Sequence, residues 1–151
     1  MVRVMASGVF DILHPGHLHY LEQAKDMGDE LFVVVACDET VRRHKHEPVT
    51  PERMRCTMVG SLKMVDEAWI GQEGGEMFDI VETIQPDIIA LGYDQSFDAE
   101  ELRHRLNERG LNIDVRRVSE CSEDLNGTRK IINRIIKDHS RGAADEANRH
   151  S

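Results

Sequence analysis

Leu31–Cys37, LFVVVAC, is a continuous apolar run rich in β-branched residues. A strand with one face in water alternates apolar and polar residues, so a run without alternation belongs to a strand covered on both sides. That requirement points to a parallel sheet between two layers of helices, and the rest of the chain has the matching rhythm. Val2–Ala6 and Ile88–Leu91 read as further buried strands, Ala68–Ile70 as a short one and Ile113–Val118 as a fifth. Helical patterns lie between them: Pro15 to about Met27, Pro51 to about Met64, Met77–Ile84, a stretch capped by Ser96 or Asp98 that stops near Gly110, and Gly127 to about His139. Met54, Met58, Val59 and Leu62 would form the apolar face of the second helix, and Ile131, Ile132, Ile135 and Ile136 the stripe of the last. Asp38–Thr50 reads as a polar loop with at most a short helical turn. The expected fold is α/β: a single-domain, doubly wound, five-stranded parallel sheet over residues 1–139, with a disordered tail at 140–151.

Bulk properties exclude several functions. A chain of 151 residues that is 40% apolar holds one domain with a sizeable core. No run is long enough to cross a membrane and no signal-peptide pattern opens the chain, so a cytoplasmic protein is expected. A net charge of −9 argues against general nucleic-acid binding, so any polyanion must meet a local basic pocket. Cys37, Cys56 and Cys121 are odd in number and lack a CxxC pair, which favours free thiols. The oligomeric state, a homodimer included, stays open at this point.

Ligands of such sheets bind beyond the carboxyl ends of the strands, at the switch point. Four segments fall there: Gly8–His17, Asp38–Thr50, Gly92–Phe97 and Leu125–Lys130. In the first, GVFDILHPGH, Pro15 suits the first helical position, so His14 and His17 stand one turn apart at a helix N-terminus. Free backbone N–H groups, a glycine permitting close approach at Gly16, and two imidazoles make a triphosphate cradle. Two readings compete with it: a zinc site using His14, His17 and His19, and a plain capping turn with surface histidines. Neither a GxGxxG nor a Walker P-loop occurs, which disfavours dinucleotide redox chemistry and P-loop hydrolysis.

Other residues support the cradle less directly. Asp11 suits a hydrogen bond that orients the turn, and Phe10 suits either core packing or a nucleotide wall. Arg42, Arg43, His44, Lys45 and His46 form a basic stretch that is either a solvated face or a loop closing over phosphates. Of Arg53 and Arg55, one fits a surface ion pair and the other the site. Asp94, just after the fourth strand, can accept from a base amino group or a ribose hydroxyl. Asn126, Gly127, Thr128, Arg129 and Lys130 open the last helix as either a second phosphate site or a simple cap.

GVFDILHPGH resembles the GxFDxxHxGH signature of the cytidylyltransferase-like nucleotidyltransferases, and LNGTRKI resembles their later phosphate motif, close to ISTTKI. Gly127 stands where Ser is usual and Arg129 replaces a hydroxyl residue. MVDEAWIG and the arginine of PERMR are similar to further family features, and the likeness covers residues 1 to about 138. DETV, PDIIALGYDQ and the single-domain length most resemble the archaeal FAD synthetase branch. The resemblance implies a Rossmann-like nucleotidyltransferase that transfers AMP from ATP to FMN, with a divalent metal such as Mg2+ delivered by ATP and no metal site of its own. It implies His14 and His17 as catalytic residues, and Val9, Phe10, Pro15, Gly16, Asp94, Thr128 and Arg129 beside them in nucleotide binding. Lys45, Arg55 and Lys130 are further candidates for phosphate contact. Two alternatives stand beside it: a cytidylyltransferase acting on glycerol phosphate or a similar phosphorylated alcohol, and an inactive nucleotide-binding module.

Overall fold

The computed structural model describes residues 1–149 apart from 45, 75–76 and 123–125. Its elements run β1 (Arg3–Gly8), α1 (Pro15–Asp26), β2 (Glu30–Val35), α2 (Asp38–His44), α3 (Glu52–Gly60), β3 (Glu67–Ile70), α4 (Met77–Ile84), β4 (Ile88–Leu91), α5 (Ala99–Glu108), β5 (Asp114–Arg117) and α6 (Thr128–Arg149). The five strands form one sheet in the order β3-β2-β1-β4-β5, and every pairing is parallel. This is the doubly wound architecture expected from the unbroken apolar runs.

Two cores account for those runs. Val4, Ala6, Leu31, Val33 and Val35 point to one face and pack with Leu21, Ala24 and Val59 of α1 and α3. Met5, Phe32, Val34, Ile89 and Leu91 point to the other and meet Val81, Ile84, Leu102 and Leu106 of α4 and α5. Neighbours along one strand therefore serve different cores, and Val4–Ala6 and Leu31–Val35 are apolar throughout, with polar residues only toward the strand ends.

Three expectations change. Asp38–His44 is a helix rather than a loop: Asp38 and Glu39 sit at its start and Arg42, Arg43 and His44 at its end, matching the helix dipole, while Val41 anchors it in the core. In α3, Met54 and Met58 are about half exposed, at 50% and 49%, and the inward residues are Arg55 and Val59. The helix also stops at Gly60, short of Met64. Finally, α6 continues to Arg149, past the expected helix stop at His139. Ala143, Ala144, Glu146 and Ala147 are strong helix formers and explain the continuation.

Arg55 is the largest fully buried side chain, at 1% exposure. Its Nε donates to the Thr50 carbonyl at 2.9 Å, one terminal nitrogen donates to the carbonyls of Val9 and Ala36 at 2.8 Å each, and the other meets Asp38 Oδ1 at 2.6 Å. One guanidinium thus ties the ends of β1 and β2 to the start of α2 and to the segment leading into α3. Arg55→Ala strands three carbonyls and a carboxylate, and should cost about 3–5 kcal/mol. The expected readout is a lower denaturant midpoint at an unchanged slope; a midpoint equal to wild type would refute the hub.

Candidate active site

Beyond the Ala6–Ala90 pair, β1 and β4 part, and a cleft of about 630 Å3 opens at their carboxyl ends. That volume lies in the usual range for small-molecule sites. Two side chains stitch the fork. The Tyr20 hydroxyl accepts from the Ser7 amide at 3.2 Å and donates to the Ala90 carbonyl at 2.5 Å, and burial pushes the phenol far up, so it stays un-ionised. The Gln95 amide donates to the Ser7 carbonyl at 2.8 Å while its oxygen accepts from the Gly92 amide at 2.7 Å. Arg117 of β5 holds the carbonyls of Gly92, Gln95 and Phe97, and so fixes the turn that presents Asp94.

The loop after β1 is strained. Phe10 and Ile12 both have left-handed φ, 55° and 56°, each costing on the order of 1–3 kcal/mol for a non-glycine residue. Asp11 between them, 2% exposed, offsets that cost. Its carboxylate accepts from Val49 N at 2.7 Å, Thr50 N at 3.0 Å and Thr50 Oγ1 at 2.7 Å, and its carbonyl takes the Thr128 hydroxyl. Burial opposes the carboxylate charge, but the bonds from Thr50 and Val49 and the charge of Arg55 outweigh it, so the group lies below the ordinary aspartate range.

His14 caps α1: its Nδ1 accepts from the Gly16 amide at 3.0 Å. The ring proton must then sit on Nε2, which leaves a donor at the cleft. Burial lowers the imidazole pKa and the charge of Asp94 partly opposes it. The ring stacks on that of His17, with centroids 3.7 Å apart, and His17 in turn packs against Phe10 at 5.2 Å. Phe10 therefore serves both core and cleft wall.

The cradle is made differently from the sequence expectation. The Gly16 amide is taken by His14, and the His17 amide bonds the His14 carbonyl at 3.0 Å, so those donors of α1 are spent and the imidazoles remain. Gly16 lines the cleft, and its missing side chain also makes room for the chain itself. A Cβ there would lie 2.4 Å from the Asn126 carbonyl and 2.8 Å from the His14 ring; the chain itself fills the notch. Pro15 is exposed, opens α1 and is not among the residues that line the cleft. Val9 lines the cleft, but its carbonyl belongs to Arg55. Arg55 is bound up within the fold and is not among the residues that line the cleft.

Asp94, Thr128, Arg129 and Lys130 also line the cleft. The Thr128 hydroxyl proton is committed to Asp11, and Lys130 Nζ holds Asn126 Oδ1 at 2.6 Å. Asn126 also donates to the Cys121 carbonyl at 2.7 Å. Arg129 is exposed and makes no hydrogen bond or ion pair with the described residues. Gly127 has space for a side chain, since a Cβ there would lie 3.9 Å from Lys130, so serine would fit equally well. Lys45 lies outside the described residues. His19 bonds the Ser119 carbonyl at 3.0 Å, and among the described residues no three His, Cys, Asp or Glu side chains gather as a metal site, which leaves the zinc reading without support. Sequence reasoning passes over Tyr20 and the bridging role of Gln95, which depend on contacts across 13 to 88 residues.

A strand-switch cleft with a paired imidazole and a cationic helix start defines a nucleotide-handling α/β site. The chain belongs to the cytidylyltransferase-like family, whose model matches residues 5–141. It is 53% identical over 137 residues to the FAD synthase of Aciduliprofundum boonei, covering 90% of this chain and 91% of that one. It is 48% identical over 150 residues to the FAD synthase of Methanoculleus marisnigri, covering 99% and 98%. Among solved structures, a Thermoplasma volcanium protein described as a lipopolysaccharide core biosynthesis protein superposes with a TM-score of 0.78 at 48% identity, over 81% of this chain and 99% of that one.

Two outcomes follow from the geometry. Gly16→Ala overpacks the notch and should cost about 1–3 kcal/mol while displacing the start of α6, seen as a lower melting temperature together with weaker nucleotide binding. An alanine variant equal to wild type in both would exclude the interlock. Because the folded imidazole of His14 titrates below 6.5, the unfolded chain takes up its proton first as pH falls. This contribution is complete above about pH 6.5 and is lost below it as the pH approaches the folded value. Denaturant titrations across that window should show the decline, and His14→Gln should flatten it.

Proposed function

We propose that this chain transfers the adenylyl group of ATP to the phosphate of FMN, forming FAD and pyrophosphate. Near full-length similarity to relatives named FAD synthase carries the choice of substrates. A phosphate oxygen of FMN attacks the α-phosphorus of ATP, the bond from that phosphorus to the bridging oxygen breaks, and pyrophosphate departs with the electron pair. The protein contributes position and charge rather than covalent chemistry. The Nε2–H of His14, together with His17, donates to triphosphate oxygens and binds them more strongly as charge grows. Arg129, Lys130 and the first amides of α6 receive the leaving pyrophosphate. Asp94 accepts from the base or the ribose. A divalent cation arriving with ATP would neutralise part of the phosphate charge, and Asp94 and Glu120 are exposed carboxylates of the cleft lining that could help to hold it.

Residues 1–139 form the catalytic domain in this reading, and the protein works in the cytoplasm. Among the described residues no helix is long and apolar enough to cross a membrane. The half-exposed Ile135 and Ile136 of α6 support a homodimer.

Purified protein given ATP and FMN should yield FAD and pyrophosphate, and should leave CTP with glycerol 3-phosphate unreacted. Rapid cytidylyl transfer to glycerol phosphate, with nothing formed from FMN, would reverse the assignment. His14→Ala and His17→Ala should each lower turnover by about 10²–10³ with the fold retained. Arg129→Ala should weaken ATP binding by roughly 1.5–3 kcal/mol, the worth of a charge-assisted bond; an unchanged KM and kcat would return Arg129 to the solvated surface.

A further inference from the structure

Two side chains of α1, one helical turn apart, hold Ser119 just beyond β5. The Ser119 amide donates to Gln23 Oε1 at 3.0 Å, and Gln23 Nε2 lies 2.7 Å from Ser119 Oγ. His19 Nε2 lies 3.0 Å from the Ser119 carbonyl oxygen and 3.3 Å from Oγ. Ser119 and His19 line the cleft, whereas Gln23 is not among the residues that do.

The direction of each bond follows from what its atoms can do. A backbone amide only donates, so Gln23 turns its oxygen to Ser119 N and its NH2 group to Oγ. The side-chain amide nitrogen has no lone pair to offer, so Oγ accepts from it. A carbonyl only accepts, so His19 Nε2 carries a proton and faces Oγ as a donor too. The hydroxyl thus meets donors at both contacts, and its own proton has no acceptor among the described residues. Ser119 is exposed, so that proton is left for an occupant of the cleft. Two residues earlier, Arg117 grips the turn that presents Asp94 by three of its carbonyls, so a donor at Ser119 and an acceptor at Asp94 belong to one bonded unit. We infer that Gln23 is a positioning residue: it turns the Ser119 hydroxyl into the cleft, where that hydroxyl donates to a ring nitrogen of the nucleotide base. The triphosphate is matched by imidazoles and cations, and ribose hydroxyls by the carboxylate of Asp94. The unprotonated ring nitrogens of adenine only accept, and they require a donor such as this one.

This inference rests on reading the cleft as an ATP site, and titrations of ATP without FMN test it apart from the transfer reaction. Gln23→Glu keeps the side-chain length and the acceptor for the Ser119 amide but removes the NH2 group. Oγ then donates to the new carboxylate, and its proton leaves the cleft. Calorimetry should show ATP affinity lowered about threefold to tenfold, at an unchanged melting temperature. Ser119→Ala should lose the same amount, and the double variant should lose nothing more. A further loss in the double variant would mean that the added charge acts on ATP directly, and overturns the inference. Deaza analogues, in each of which carbon replaces one adenine ring nitrogen, identify the partner. One of them should bind wild type less tightly than ATP does, and Ser119→Ala should not distinguish that analogue from ATP. Wild-type affinity in Gln23→Glu, or analogues that wild type and Ser119→Ala rank alike, overturns the inference. Failure to form FAD overturns the proposed reaction alone, and failure of wild type to bind ATP overturns both.

Discussion

The carboxylate of Asp11 holds three otherwise independent loops in one arrangement. Through its side chain it fastens the segment entering α3, and through its carbonyl the first residue of α6, while its own loop carries the histidines. Loops at the carboxyl end of a parallel sheet have no ladder to share, so they keep a common geometry only through bonds such as these. Two left-handed residues flank the aspartate, and the network around it over-determines a backbone that would otherwise relax. Arg55 lies beneath as the second hub and takes the carbonyls that the same loops leave unpaired. Both residues act on the site through the loops that they hold.

The layer architecture could be read from LFVVVAC and its companion runs because two-sided burial removes the choice of polar residues, and the composition records that directly. The histidine pair was legible for a similar reason: a strand, a turn and a proline-led helix place His14 and His17 in register with no tertiary information. The roles of Gly16 and Arg55 were not legible. Each is decided by what the fold brings to it from far along the chain: the Asn126 carbonyl for the glycine, and three carbonyls with one carboxylate for the arginine. A glycine beside a phosphate motif reads the same whether a ligand or the chain occupies the space. Asp38–His44 reads as a loop because its apolar content is a single buried Val41, yet end charges matched to the dipole and a Glu39–Arg43 pair suffice within a packed fold.

The way His14 is held bears on the chemistry as well as the structure. A lysine at the same place would carry a full charge into the empty cleft and bind triphosphate strongly in the ground state. An imidazole whose Nδ1 is occupied by the Gly16 amide offers a single directed N–H with no net charge, and burial keeps it so. Such a donor gains most when the oxygen it faces becomes more negative, which is when the α-phosphate passes through the transition state. Full positive charge stands at the start of α6, where Arg129 and Lys130 line the cleft; in the proposed reaction these would meet a leaving group that gathers charge as it departs. In the proposed reaction, dividing the site into neutral, oriented donors at the centre and cations at the exit would favour the transition state over tight retention of substrate.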